Sequence, residues 1–110
     1  MVQTHQLLEE TGIRDLFVIQ PRIFRDKRGY FYESYNKQTF ADLGLHYNFV
    51  QDNESLSTYG VLRGLHFQLQ PASQTKLIRV SLGKVLDVVV DIRKNSPTYG
   101  QHFSVILSAD

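Results

Sequence analysis

The run Val85-Leu-Asp-Val-Val-Val-Asp-Ile92 limits the fold more than any other stretch of the chain. β-Branched side chains lose rotamer freedom in a helix and pack well on a pleated surface, so a run this rich in Val reads as a strand. Asp87 and Asp91 are separated by an even number and fall on one face of it. Shorter runs of the same kind recur between turn signals. Leu16-Phe-Val-Ile19 closes at Gln20-Pro21, and the aromatic segment Tyr30-Phe-Tyr-Glu-Ser-Tyr35 follows a charged turn ending at Gly29, which together suggest a hairpin. Residues 49–53, 60–68, 75–80 and 103–107 add four more strand-like stretches, with turns at residues 70–73, 83–84 and 94–97. The one helix signal starts at Asn36 as N-cap, runs through Phe40 to Leu43 and stops at Gly44. Without alternation of strands and helices, the expected class is all-β, a sandwich or barrel with one short helix.

Composition narrows what such a fold does. The 110 residues suit a single domain covering 1–110, and an apolar share of 42% supports a packed core. A net charge of +1 with dispersed Lys and Arg excludes the basic stripe expected of a nucleic-acid binder. No run approaches the ~20 apolar residues of a membrane span. The first ten residues lack the basic start and apolar block of a signal peptide. Absence of Cys removes disulfide, thiolate and thiolate–metal chemistry and fits a cytoplasmic setting.

The stretch Gly60-Val-Leu-Arg-Gly-Leu-His-Phe-Gln68 is apolar in pattern yet carries Arg63, His66 and Gln68, and Lys76 sits in the next apolar run. Ionisable groups in half-buried strands need partners or a cavity. A base flanked by cations suits removal of a proton from carbon next to a carbonyl, with an ammonium steadying the enolate oxygen. A lone strand His is more often a hydrogen-bonded structural residue, and the same cations could simply hold a phosphate. Arg63 falls on the opposite strand face from His66, so a shared cavity requires a bulge or sharp twist at Gly64. A metal site is disfavoured, because Gln68 and Lys76 stand where a metal-binding barrel would offer His and carboxylate, and His5, His46 and His102 lie far off in sequence. Arg28 and Glu33 flank the aromatic run and read as a charged hairpin. Gln51-Asp52-Asn53 reads as a turn cap, and Asp91 with Arg93 as a structural pair.

Taken in order, Asp26-Lys-Arg-Gly-Tyr-Phe-Tyr-Glu33, Phe49-Val-Gln-Asp-Asn53, the stretch 60–68, Lys76-Leu-Ile-Arg-Val80, residues 85–93 and Ser96-Pro-Thr-Tyr-Gly100 resemble the dTDP-4-dehydrorhamnose 3,5-epimerase family. The likeness runs from about Leu16 to the end of the chain. It implies a metal-free cupin-type jelly-roll or β-barrel without a cofactor, and a homodimer made by exchange of N-terminal strands. It implies His66 as the base at C3 and C5 of a 4-keto sugar, Lys76 near the keto oxygen, and Arg63, Gln51 and Asn53 on the substrate. Arg28 and Glu33 would reach the nucleotide sugar across the dimer. Family members continue past residue 110, where the reprotonating tyrosine and the aspartate orienting the base are expected. The barrel is therefore expected to be incomplete at the C-terminus, which leaves two functional expectations: epimerisation at C3 and C5 of dTDP-4-dehydro-6-deoxy-D-glucose, or a truncated, catalytically impaired module that binds sugar nucleotide or dimerises.

Overall fold

The computed structural model describes residues 7–110. His5 and the start of the segment read against a signal peptide lie outside the described residues. Three antiparallel hairpins and one helix make up the regular structure of the described residues. β1 (Leu7–Glu10) pairs with β2 (Phe17–Gln20), β3 (Phe24–Asp26) with β4 (Gly29–Phe31), and β5 (Lys84–Val90) with β6 (His102–Ser108). The helix α1 spans Lys37–Asp42. Among the described residues no barrel closes, and each sheet has two strands.

The long β5–β6 pair follows from the Val-rich run. Val85 faces Leu107, Val89 faces Phe103, and on the opposite surface Leu86 faces Ile106. Apolar side chains thus occupy both faces, the pattern of a strand meant to be covered on both sides. Here Leu86 and Ile106 are each 66% exposed. β1 is an element that sequence reading passed over, since residues 1–15 look polar apart from Leu7-Leu8. Tertiary pairing, with Leu8 opposite Ile19, supplies what propensity lacked.

β3 and β4 join through Lys27 and Arg28. The Asp26 carboxylate accepts from the Arg28 backbone N–H at 2.8 Å, and Gly29 takes φ of 133°, a left-handed value favouring glycine. The α1 cap is as expected: Asn36 is extended and its side-chain oxygen accepts from Thr39 N–H at 3.1 Å. Gly44 ends the helix at φ 85°. Phe40, 2% exposed, anchors the helix on Tyr35, whose ring meets it edge-on at 4.9 Å. Tyr35 also meets Phe49 at 5.3 Å, and Leu45 is buried.

The middle of the chain departs from expectation. Residues 49–53, 60–68 and 75–80 form no strand. Large apolar side chains along this stretch lie in the open, among them Leu56, Leu62, Leu65 and Leu69. A strand exists only where a neighbour accepts its backbone hydrogen bonds, and residues 48–82 find no ladder among the described residues. Glu54 accepts from Ser81 Oγ at 3.1 Å and Tyr32 Oη from Arg79 at 3.2 Å, fastening the stretch at isolated points.

Just past β5, Asp91 is buried, its side chain 1% exposed. Its carboxylate accepts from Arg93 Nε at 3.0 Å, Arg93 Nη2 and backbone N–H at 3.1 Å, Thr98 Oγ1 at 2.6 Å, and Ser96 Oγ. The pair read from sequence as structural is therefore a five-bond knot. The Arg93 guanidinium first, then the Ser96 and Thr98 hydroxyls, hold the Asp91 carboxyl far below the usual carboxylate range. A depressed folded-state value contributes stability above the unfolded value of ~3.9 and loses it as pH falls below that point. Thermal stability should therefore drop steeply below about pH 4, and Asp91→Asn should flatten that dependence while lowering stability at neutral pH. Differential scanning fluorimetry across pH 3–7 checks both. Asn36→Ala should cost about 1 kcal/mol through the lost helix cap, measured by urea denaturation.

Candidate functional site

His66 lies on the irregular stretch and is exposed. Gly64, two residues earlier, takes φ of 112°, and a Cβ placed on it would stand 3.7 Å from His66 Nδ1 and 3.7 Å from the His66 backbone nitrogen. The imidazole therefore folds back over Gly64. The bulge or twist expected at this glycine has as its counterpart a left-handed backbone, a conformation that L side chains rarely adopt. No ladder from residue 61 to 67 separates Arg63 from His66, because no ladder forms there.

Arg63 turns back along its own loop. Its Nε donates to Ser57 Oγ at 2.8 Å and its Nη2 to the Leu56 carbonyl at 3.1 Å. Lys76, Gln51 and Asn53 are exposed and lie outside regular structure. Arg28 sits at the β3–β4 turn, 87% exposed at its side chain, with Nη2 2.7 Å and Nε 3.2 Å from Asp26 Oδ2. That pairing lowers the Asp26 carboxyl below its ordinary value. Glu33 is half-buried and accepts from Asn36 Nδ2 at 3.3 Å, which links it to the start of α1.

His66 and Lys76 both lie exposed. Clefts are found elsewhere, one of about 360 Å³ between Arg14 and residues 93–97 and one of about 230 Å³ beside α1, from Lys37 to Asn48. The physical reason is the missing ladder: a strand segment can wall a cavity only when neighbouring strands complete the wall. The chain instead presents the stretch 60–68 and Lys76 to the open. Among the described residues, no group of three His or carboxylate side chains stands where it could hold a metal ion. Among them, too, no helix is long and apolar enough to cross a membrane.

Sequence reading found the charged positions of this stretch but not what holds Arg63. Ser57 lies in a polar loop whose composition carries no sign of a contact with a side chain six residues on.

The sequence profile described as dTDP-4-dehydrorhamnose 3,5-epimerase matches residues 10–110. The chain belongs to the dTDP-4-dehydrorhamnose 3,5-epimerase family. It is 54% identical over 102 residues to the Salmonella typhimurium enzyme of that name, covering 92% of this chain and 56% of the relative. It is 50% identical over 99 residues to the Methanothermobacter thermautotrophicus enzyme, covering 90% of this chain and 53% of the relative. The chain thus spans a little over half the length of these relatives.

Solved structures agree. The Bacillus anthracis epimerase with TDP and PPi bound superposes with a TM-score of 0.92 at 50% identity, over 96% of this chain and 61% of that one. The Legionella pneumophila enzyme in complex with dTDP-4-keto-L-rhamnose gives 0.90 at 49% identity, over 96% of this chain and 56% of that one. The fold is accordingly all-β of the cupin type with one short helix, in an open form.

Gly64→Ala should strain the turn under His66 by about 1–3 kcal/mol, because alanine resists a φ near 112° while the added methyl group finds room. The expected result is a lowered melting temperature and a shifted His66 Cε1–H NMR resonance. An unchanged His66 resonance would show that the glycine does not set the ring's position.

Proposed function

We propose that the chain is a single epimerase domain acting in the cytoplasm, and that it inverts C3 and C5 of dTDP-4-dehydro-6-deoxy-D-glucose to give dTDP-4-dehydro-L-rhamnose. The observation that carries this reading is the likeness to the Legionella pneumophila enzyme, whose ligand is dTDP-4-keto-L-rhamnose, at 49% identity and a TM-score of 0.90. The residues of this chain supply the needed chemistry. His66 takes the proton from carbon next to the ketone, and the C–H electron pair moves into a C=C bond as negative charge develops on the ketone oxygen. Lys76 stabilises that oxygen. Reprotonation from the opposite face of the ring completes the inversion, and repetition at the second carbon gives the double epimer. Proton abstraction next to a carbonyl needs a base and a stabiliser of charge, and both are side chains in this reading.

Arg63, Gln51 and Asn53 hold the substrate from the same protomer. For Arg63 this requires release of Ser57 and Leu56, or approach of the anion to the guanidinium edge that they leave open. Arg28 and Glu33 serve the nucleotide sugar from a partner protomer, in a homodimer with exchanged N-terminal strands. Arg28 stands 87% exposed at the tip of a hairpin, a position suited to reach into another molecule. The uncovered apolar side chains of residues 50–82 favour assembly, since patches of this extent are normally buried against something.

A second reading is favoured by the open surroundings of His66. Without walls to exclude water, charge stabilisation by Lys76 is weakened by the high dielectric, and the chain binds a sugar nucleotide or dimerises without rapid turnover. Incubation with dTDP-4-dehydro-6-deoxy-D-glucose in D₂O separates the two. Deuterium at C3 and C5, reduced on the order of 10²-fold or more in His66→Ala, is the outcome expected for the epimerase. Binding of dTDP without deuterium uptake identifies the module. Uptake that is equal in His66→Ala removes His66 from the role of base.

A further inference from the structure

The loop between β1 and β2, residues 11–16, rests against the turn that follows β5. Ile13 is 8% exposed, and beside it Arg14 and Asp15 form one wall of the cleft whose other wall is residues 93–97. The cleft is lined by cations, but it is not an anion cradle. The Arg93 guanidinium is already spent: Nε and Nη2 go to Asp91, Nη1 to Asp15 Oδ2 at 3.2 Å, and Nη2 also to the Arg14 carbonyl at 2.9 Å. One planar fork therefore spans two parts of the chain nearly eighty positions apart. Its Asp91 side is built into the buried knot, while its Asp15 side is solvent-washed, with Arg93 and Asp15 side chains 45% and 62% exposed. Asp15 itself takes φ of 68°, a left-handed value.

Among the described residues, no strand of the first hairpin packs against a strand of another. The loop, by contrast, is bonded to Arg93 through Asp15 and the Arg14 carbonyl. We propose that Arg93 is a latch: anchored on Asp91, its outer edge holds the β1–β2 hairpin in place, and loss of that edge releases the hairpin while the β5–β6 hairpin stays formed. The asymmetry follows from the chemistry. A buried charged acceptor with five bonds holds firmly, and an exposed ion pair with one carbonyl bond is weak enough to open. β2 continues through Pro21 into β3, so the latch also sets where the Arg28 turn stands.

Hydrogen–deuterium exchange read by mass spectrometry on peptides covering residues 7–20 and 84–108 tests this on the intact chain. Asp15→Asn keeps the left-handed backbone, which asparagine tolerates, and should speed exchange in residues 7–20 by about two- to fivefold. Arg93→Lys keeps a charge for Asp91 but loses the two-sided fork, and should speed it on the order of tenfold. Residues 84–108 should exchange at the parental rate in Asp15→Asn. Sodium chloride at about 1 M should reproduce the Asp15→Asn effect in the parent and add nothing in that variant. Unchanged exchange in residues 7–20 in both variants overturns the latch. So does acceleration spread equally over both regions in Asp15→Asn, which marks a general loss of stability instead.

Discussion

A backbone amide in an extended segment has to donate to something, and this requirement divides the molecule. Where the chain folds back on itself within about fifteen residues, as in β1–β2, β3–β4 and β5–β6, each strand meets its partner and a ladder forms. Between them, residues 48–82 form none among the described residues. The residues richest in chemistry, His66, Arg63 and Lys76, all lie on that unpaired stretch. The geometry of the proposed site therefore depends on whatever walls are brought to it, and not on local propensity.

The interior that does form is small and specialised. Around α1, Tyr35, Phe40, Phe49 and Leu45 make an aromatic cluster that needs only local chain. At the end of β5 a carboxylate has replaced an apolar side chain as the organising group. Burying Asp91 is tolerable because each of its lone pairs is met by Arg93, Ser96 or Thr98, and a partial set would leave a costly charge. The knot ties residues 91–98 together, and through Arg93 it also reaches Asp15 and the Arg14 carbonyl in the first hairpin's loop.

Family membership and the unpaired stretch belong together. The relatives are nearly twice as long as the matched part, and their structures follow this chain's path with a TM-score of 0.92. Along that path residues 48–82 find no ladder among the described residues. Charged residues interrupt an otherwise apolar pattern at 63, 66 and 76; in the proposed site they face substrate, and a wall facing substrate needs polar groups where a wall facing core does not.

Sequence alone determined much of what acts over short range. Val at 85, 88, 89 and 90 demanded a strand, Asn36 and Gly44 bounded the helix, Asp26 to Gly29 made a turn, and Asp91 with Arg93 declared a pair. Six motifs in order gave the family. What sequence left undecided depends on whether a segment meets a partner in the folded chain. Tertiary pairing alone made a strand of the polar Leu7–Glu10, withheld one from residues 60–68, and brought Arg93 onto Asp15. Periodicity reports which surface a segment would bury; only the folded chain decides whether a partner arrives to cover it.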